Sequence, residues 1–190
     1  MKILVYGSTT FGSVVRVLVE DCGHEFAGFI DDVHPSAADV LGTFDQVVNS
    51  HKAGAFACVN AVGYNDLAAR ARVTARIAAA GYAMPSLVHP KAIVGRDAKI
   101  GAGAMIMAGA TVDIRVDVGP TVVLWPGAVV AHDTTLDGNT FLSPNATVCG
   151  CCQVGRDCFV GAGAVVVDHA RVPDGTRIKA AERFVTREKT

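Results

Sequence analysis

From Val94 onward the chain carries an aliphatic residue at every sixth position: Val94, Ile100, Ile106, Val112, Val118, Leu124, Val130, Leu136, Leu142, Val148, Val154, Val160, Val166, Val172 and Ile178. Four residues after each from Val94 to Val172 stands a small or β-branched side chain, from Ala98 and Ala104 through Thr134, Thr140, Cys152 and Cys158 to Thr176. A period of six is neither the 3.6 of a helix nor the 2 of a simple strand. It predicts a coil of triangular section, with a short strand on each face and a turn at each corner. The aliphatic residue then points to the axis, where a Val and Ile ladder suits pleated backbone, and the small residue fits inside the corner. Three hexads close one coil, so these 15 aliphatic positions predict a parallel β-helix of about five coils. At roughly 4.8 Å per coil the prism is on the order of 24 Å tall. Gly95, Gly101, Gly119, Gly155 and Gly161 follow the aliphatic position, where a turn calling for positive φ is expected.

Residues 1–85 lack this repeat and alternate differently. KILVYG (2–7) reads as a buried strand, GSTTFG (7–12) as a tight turn, and residues 11–21 as a helix with Val14, Val15, Leu18 and Val19 inward. EFAGFIDD (25–32) is a second strand ending in two acids, and AFACVNAVG (55–63) another. Residues 65–82 form a helix capped by Asn65. Strand–turn–helix–strand order predicts a small Rossmann-like parallel α/β sheet. The chain therefore divides into an α/β domain, 1–85, and a β-helix domain with its C-terminal tail, 86–190, joined through MPSLVHP (84–90). In parallel sheets ligands sit beyond the carboxyl ends of the strands. Here those ends carry Gly7–Gly12, Asp31–Asp32 and Gly63–Asn65. The helix start after the first turn offers N–H groups to a phosphate, and Asp31 or Asp32 could accept from ribose hydroxyls. GSTTFG lacks the three spaced glycines of a dinucleotide fingerprint, which argues against NAD chemistry.

Composition narrows the partners. The 190 residues are 51% hydrophobic with a net charge of −1, which gives no support for nucleic acid or an anionic membrane surface as partner. No apolar run is long enough to span a bilayer. The N-terminus lacks the features of a secretory signal, so a cytoplasmic location and reduced cysteines are expected. So apolar a surface on so little charge points to self-association. Four of the six cysteines (Cys149, Cys151, Cys152 and Cys158) fall within ten residues. That spacing invites zinc, but Cys152 and Cys158 occupy small-residue slots of the repeat, so no metal is expected.

The hexad-bearing segment contains two histidines, His132 and His169. His132 stands on a turn midway along it and is followed at once by Asp133. Acyl transfer needs a base to take the acceptor's proton. Neutral imidazole, with a reference pKa of about 6.5, suits that task, and a neighbouring carboxylate can fix its tautomer.

Together, the glycine turn, GFIDD, the VHP link, the histidine–acid pair and FLSPNATVCG…VG…FVGAGAVV resemble the sugar O/N-acetyltransferases of the NeuD/PglD type over nearly the whole chain. The resemblance implies a homotrimer of left-handed β-helices, with acetyl-CoA in the groove between prisms and a nucleotide sugar on the Rossmann-like lobe. It implies that His132 is the base, Asp133 the acid that supports it, and the Gly150 amide a donor to the thioester oxygen. Cofactor contacts fall on Phe141, Gly150, Ala162 and Ala180; substrate contacts fall on Thr9, Thr10, Phe11, Asp31, Asp32, Gly63, Asn65 and Trp125. The implied reaction is direct N-acetylation of a nucleotide-linked amino sugar without an acyl-enzyme. O-acetylation of a sugar hydroxyl and a non-catalytic binding trimer stand as alternatives. Four places depart from the family pattern. Thr10-Phe11-Gly12 replaces a histidine-containing turn, Phe141 a second histidine and Trp125 an asparagine, and the chain ends without a GxPAK-like segment.

Overall fold

The structure is a computed structural model that describes residues 1–186; the last four residues of the expected C-terminal tail lie outside the described residues. The chain forms two compact units, Met1–Leu87 and Val88–Thr190.

The first unit holds strands β1 (Lys2–Tyr6), β2 (Glu25–Ile30) and β3 (Ala57–Asn60) and helices α1 (Thr10–Asp21), α2 (Phe44–Ser50) and α3 (Leu67–Ala79). The strands form a parallel sheet in the order β2-β1-β3, with Tyr6 opposite both Ile30 and Asn60. Leu4, Tyr6, Ile30 and Cys58 bury one core with Phe44, Val47, Ile77 and Tyr82. Thr10 already belongs to α1, so the first turn is shorter than GSTTFG suggested. Gly12 lies within the helix, at a position that needs glycine because a Cβ there would meet the Gly7 carbonyl oxygen. The cap of α3 is Asp66, whose carboxylate accepts the Ala69 N–H at 2.7 Å, rather than Asn65, one residue earlier and equally suited by type. The sequence reading missed α2, although Thr43 and Gln46 build a capping box around its first turn.

In the second unit every hexad contributes a two-residue strand, and coils pair in parallel 18 residues apart, as with Leu124 against Leu142. The three faces are parallel sheets of six, six and five strands. The expected aliphatic residues line the axis: Val112, Val118, Leu124, Val130, Leu136, Leu142, Val148 and Val160 are all 0% exposed. Val94, on the first strand of its sheet, has no strand beneath it and is 40% exposed. The small slots are equally closed. Thr134 and Thr140 donate their hydroxyls to the carbonyls of Cys149 and Gly155, 15 residues on, both at 2.9 Å. Cys152 and Cys158 do the same with their thiols, to Val167 and Pro173 at 3.1 Å. These two cysteines thus act as threonine substitutes that satisfy buried carbonyls.

One expectation about the turns is corrected. Positive φ falls on the third residue after each aliphatic position, from Asp97 (62°) through Arg115 (56°) and Asp133 (57°) to Ala181 (56°). Gly95, Gly101, Gly119, Gly155 and Gly161 are instead needed for room. A Cβ on Gly101 would come within 2.6 Å of the Gly119 carbonyl carbon, and one on Gly161 within 2.5 Å of the Ala180 nitrogen. The next coil passes over that spot, so any side chain would collide with backbone.

The core ladder yields a stability prediction. Leu142 is fully buried between coils that cannot collapse far, because backbone pairing fixes their spacing. Leu142→Ala should destabilise by about 2–5 kcal/mol, read as a lower midpoint in urea unfolding. A loss well below that range would mean the axis repacks freely.

Candidate active site

His132 and Asp133 occupy the corner between strands Val129–Val130 and Thr135–Leu136. Asp113–Arg115 lie one coil below in the same column, and Cys149–Cys151 and Val167–His169 lie above, because each coil is 18 residues. Backbone bonds tie the stack: Asp133 N–H to Ile114 O at 3.2 Å, Cys151 N–H to His132 O at 3.0 Å, and His169 N–H to Gly150 O at 3.0 Å. The His132 ring lies against Gly150, where a Cβ would meet its Cε1 at 2.8 Å and its Nε2 at 2.9 Å. Nδ1 of His132 is 2.9 Å from Asp133 Oδ2, and the two side chains are 51% and 38% exposed. That contact turns Nε2 away from the carboxylate and leaves it as the atom able to take a proton. Arg115 grips both oxygens of Asp133, Nε donating to Oδ1 at 2.7 Å and one terminal nitrogen to Oδ2 at 2.8 Å. The guanidinium, then the imidazole, hold the Asp133 carboxyl well below the usual carboxylate range. It therefore stays ionised at any pH at which the base works.

The Gly150 amide is not idle. It donates to Asp168 Oδ1 at 3.1 Å, and burial followed by the same carboxylate pushes the Cys149 thiol up. One donor atom each from His132, Asp133 and Cys151 lie within 4.8 Å of one another, close enough to ligate a cation. The Arg115 guanidinium on Asp133 opposes placing a second positive charge there.

The remaining expected cofactor contacts are not gathered at this corner. Ala162 and Ala180 stack in another column, linked by Ala181 N–H to Ala162 O at 2.8 Å, and Trp125 lies lower in that column. A whole face, strands Val129–Val130, Thr147–Val148 and Val165–Val166, separates them from His132 within one chain. Phe141, expected as a cofactor contact, is 1% exposed within the chain. Its ring stacks on Phe159 at 6.2 Å and packs near Trp125 at 6.1 Å, because an apolar ring on that strand is more stable against other rings than in water.

In the first unit a cavity of about 420 Å³ opens at the carboxyl ends of the strands, lined by residues including Gly7, Thr9, Asp31, Asp32, His34 and Gly63. Thr10, Phe11 and Asn65 are not among its lining residues. The two acids are engaged by the fold. Asp31 is 5% exposed and accepts the Ser8 amide and hydroxyl on one oxygen. On the other it accepts the amides of Val33 and His34 at 2.8 and 2.9 Å. Burial pushes its pKa up, but these bonds outweigh it and hold the group ionised. Asp32 accepts from Tyr6, from Arg76 at 2.6 Å and from the Phe44 amide at 2.8 Å. Asp31 thus accepts two bonds on each oxygen, whereas Asp32 accepts one on Oδ1 and two on Oδ2 and keeps its side chain 35% exposed at the cavity. The sequence reading did not single out His34, Arg115 or Asp168. A step of 18 from Asp133 lands on Arg115, and one from Gly150 lands on Asp168, so wrapping the sequence by coil would have found both.

Two family profiles match the sequence: the PglD N-terminal domain over residues 2–77 and the bacterial transferase hexapeptide (six repeats) over residues 133–168. No curated protein matches it. Among solved structures, the acetyltransferase domain of PglB from Neisseria gonorrhoeae is 29% identical, with a TM-score of 0.88 covering 97% of this chain and 91% of that one. The same domain in complex with acetyl coenzyme A is 26% identical with a TM-score of 0.82, covering 95% and 97%. A mutant of GDP-perosamine N-acetyltransferase from Caulobacter crescentus, in complex with CoA and GDP-perosamine, is 23% identical. Its TM-score of 0.90, over 97% of this chain and 89% of that one, is a likeness of fold. A PglD-type match in the first unit, a hexapeptide-repeat match in the second and an acetyltransferase domain matching almost end to end make the chain similar to the NeuD/PglD-type hexapeptide-repeat sugar acetyltransferases.

Proposed function

We propose that this chain transfers the acetyl group of acetyl-CoA to the amino group of a nucleotide-linked amino sugar, with His132 as general base. The observation that carries the reading is the His132–Asp133 pair, half exposed and seated on a glycine that leaves room for its ring. The neighbouring structures solved with acetyl coenzyme A, and with CoA and GDP-perosamine, support the choice of donor and acceptor class.

In this reaction the acceptor nitrogen attacks the thioester carbon while His132 Nε2 takes its proton. The tetrahedral centre collapses, the carbon–sulfur bond breaks, and the imidazolium returns the proton to the leaving CoA sulfur. Asp133 on Nδ1 keeps the ring in the right tautomer and stabilises its charged form. The Gly150 amide can serve the thioester oxygen only after the Asp168 carboxylate releases it, so donor binding has to displace that contact. The cavity at the sheet ends of the first unit would take the nucleotide. A homotrimer would bring the Trp125–Ala162–Ala180 column of one copy against the His132 column of another, giving acetyl-CoA a two-sided groove.

The test is product analysis. Acetyl-CoA is incubated with a panel of UDP-, GDP- and dTDP-linked amino sugars, and products are read by mass spectrometry alongside free CoA release. Gain of one acetyl group on an amine, with matched CoA, is the expected result. Acetylation only on hydroxyls would overturn the acceptor assignment, and no binding of acetyl-CoA by calorimetry would overturn the transferase reading for this chain.

A further inference from the structure

Arg115 lies one coil below Asp133 in the same left-handed turn slot, φ 56° against 57°, so the two residues are stacked at the coil spacing. We infer that Arg115 is a positioning residue for the base, fixing the direction of the Asp133 carboxylate and moderating its pull on His132. The inference rests on the reading of His132 as the base.

The geometry supports both parts. Arg115 holds both oxygens in a two-pronged grip, the arrangement that fixes a carboxylate plane as a single ammonium cannot. Oδ2 is the oxygen shared with His132 Nδ1 at 2.9 Å, so freeing the carboxylate to rotate would loosen the imidazole too. The grip is not there chiefly for stability, since Arg115 is 54% exposed and Asp133 38%, and exposed pairs stabilise little. Electrically, a lone carboxylate on Nδ1 would favour imidazolium and keep the base protonated at higher pH. The guanidinium offsets that pull. The other titratable groups in this stack are Arg96, Asp97 and Asp113 from below, of which both acids act on Arg115, and Cys149, Cys151, Asp168 and His169 from above. Among the described residues, Arg115 is the positive group bonded to the Asp133 carboxylate beside His132.

The experiment compares wild type, Arg115→Met and Arg115→Lys by the pH profile of kcat/KM and by NMR titration of the labelled His132 ring. In Arg115→Met the acidic limb and the ring's midpoint should both move up by roughly 0.5–1 pH unit, and plateau kcat should fall about 5–10-fold with KM little changed. Arg115→Lys should keep the limb near its wild-type position yet still lose kcat, because it retains charge without the fork. If Arg115→Met misfolds, Arg115→Gln takes its place. A variant that lowers melting temperature but leaves both titrations unmoved makes Arg115 a mere coil staple and overturns the inference. Should wild type acetylate no acceptor, the function reading fails on its own, while the NMR midpoint still reports whether Arg115 acts on His132.

Discussion

His132→Ala is expected to lower kcat/KM by about 10²–10⁴-fold, the usual contribution of a positioned general base, with the fold unchanged. The second half of that statement follows from what the side chain touches. It is half exposed, and among the described residues the ring's hydrogen bond is to Asp133, while the backbone link from Cys151 N–H to the residue's carbonyl survives substitution. Unfolding midpoint and circular dichroism should therefore match wild type. The loss should appear mainly in kcat, because the base acts while the proton moves and not when substrates bind. Retention of wild-type turnover would remove His132 from the mechanism and leave the acceptor to be deprotonated elsewhere.

The second large effect comes from a single added methyl. Gly150→Ala would set a Cβ 2.8 Å from His132 Cε1 and 2.9 Å from Nε2, closer than carbon atoms approach without something shifting. The backbone at residue 150 is outside the left-handed region, so alanine carries no conformational penalty there, and the obstacle is the ring. His132 is exposed and can swing outward, so the protein should fold. But a base displaced by even about 1 Å can lose on the order of 10²-fold in rate. Steady-state kinetics together with thermal melting check this: a deep fall in kcat at unchanged stability is expected. Normal rates in Gly150→Ala would mean that the ring need not rest where it does.

The solenoid is legible in the sequence because one steric demand, an aliphatic side chain at the axis, repeats without a slip from Val94 to Ile178. The left-handed slot is not legible, although it repeats as regularly. It is filled by Gly, Asp and Asn, which tolerate it, but also by Arg115, Thr121, Cys151, His169 and Ala181. Closing the triangle dictates that conformation, and local preference yields. His132 and Asp133 could be read together because they are neighbours in the chain. Arg115 and Asp168 could not, since contact across coils appears only once the fold wraps the chain. In the first unit the sequence marked the strand ends, Asp31 and Asp32 included, that line the cavity. It did not show the bonds those acids make, because partners such as Ser8, Tyr6 and Arg76 lie up to 44 residues away.

The coil-to-coil register gives this architecture two different tolerances to length change. A duplication or loss of six residues in the second unit leaves every Val and Leu facing the axis, so the prism would still close. Yet all later corners would rotate by a third of a turn, and a change between residues 134 and 148 would carry Gly150 and Asp168 round to another edge, away from His132. Only steps of 18 conserve both the core and the chemistry. Evolution can therefore lengthen such a prism in small increments at its ends, whereas around the histidine it must move by whole turns.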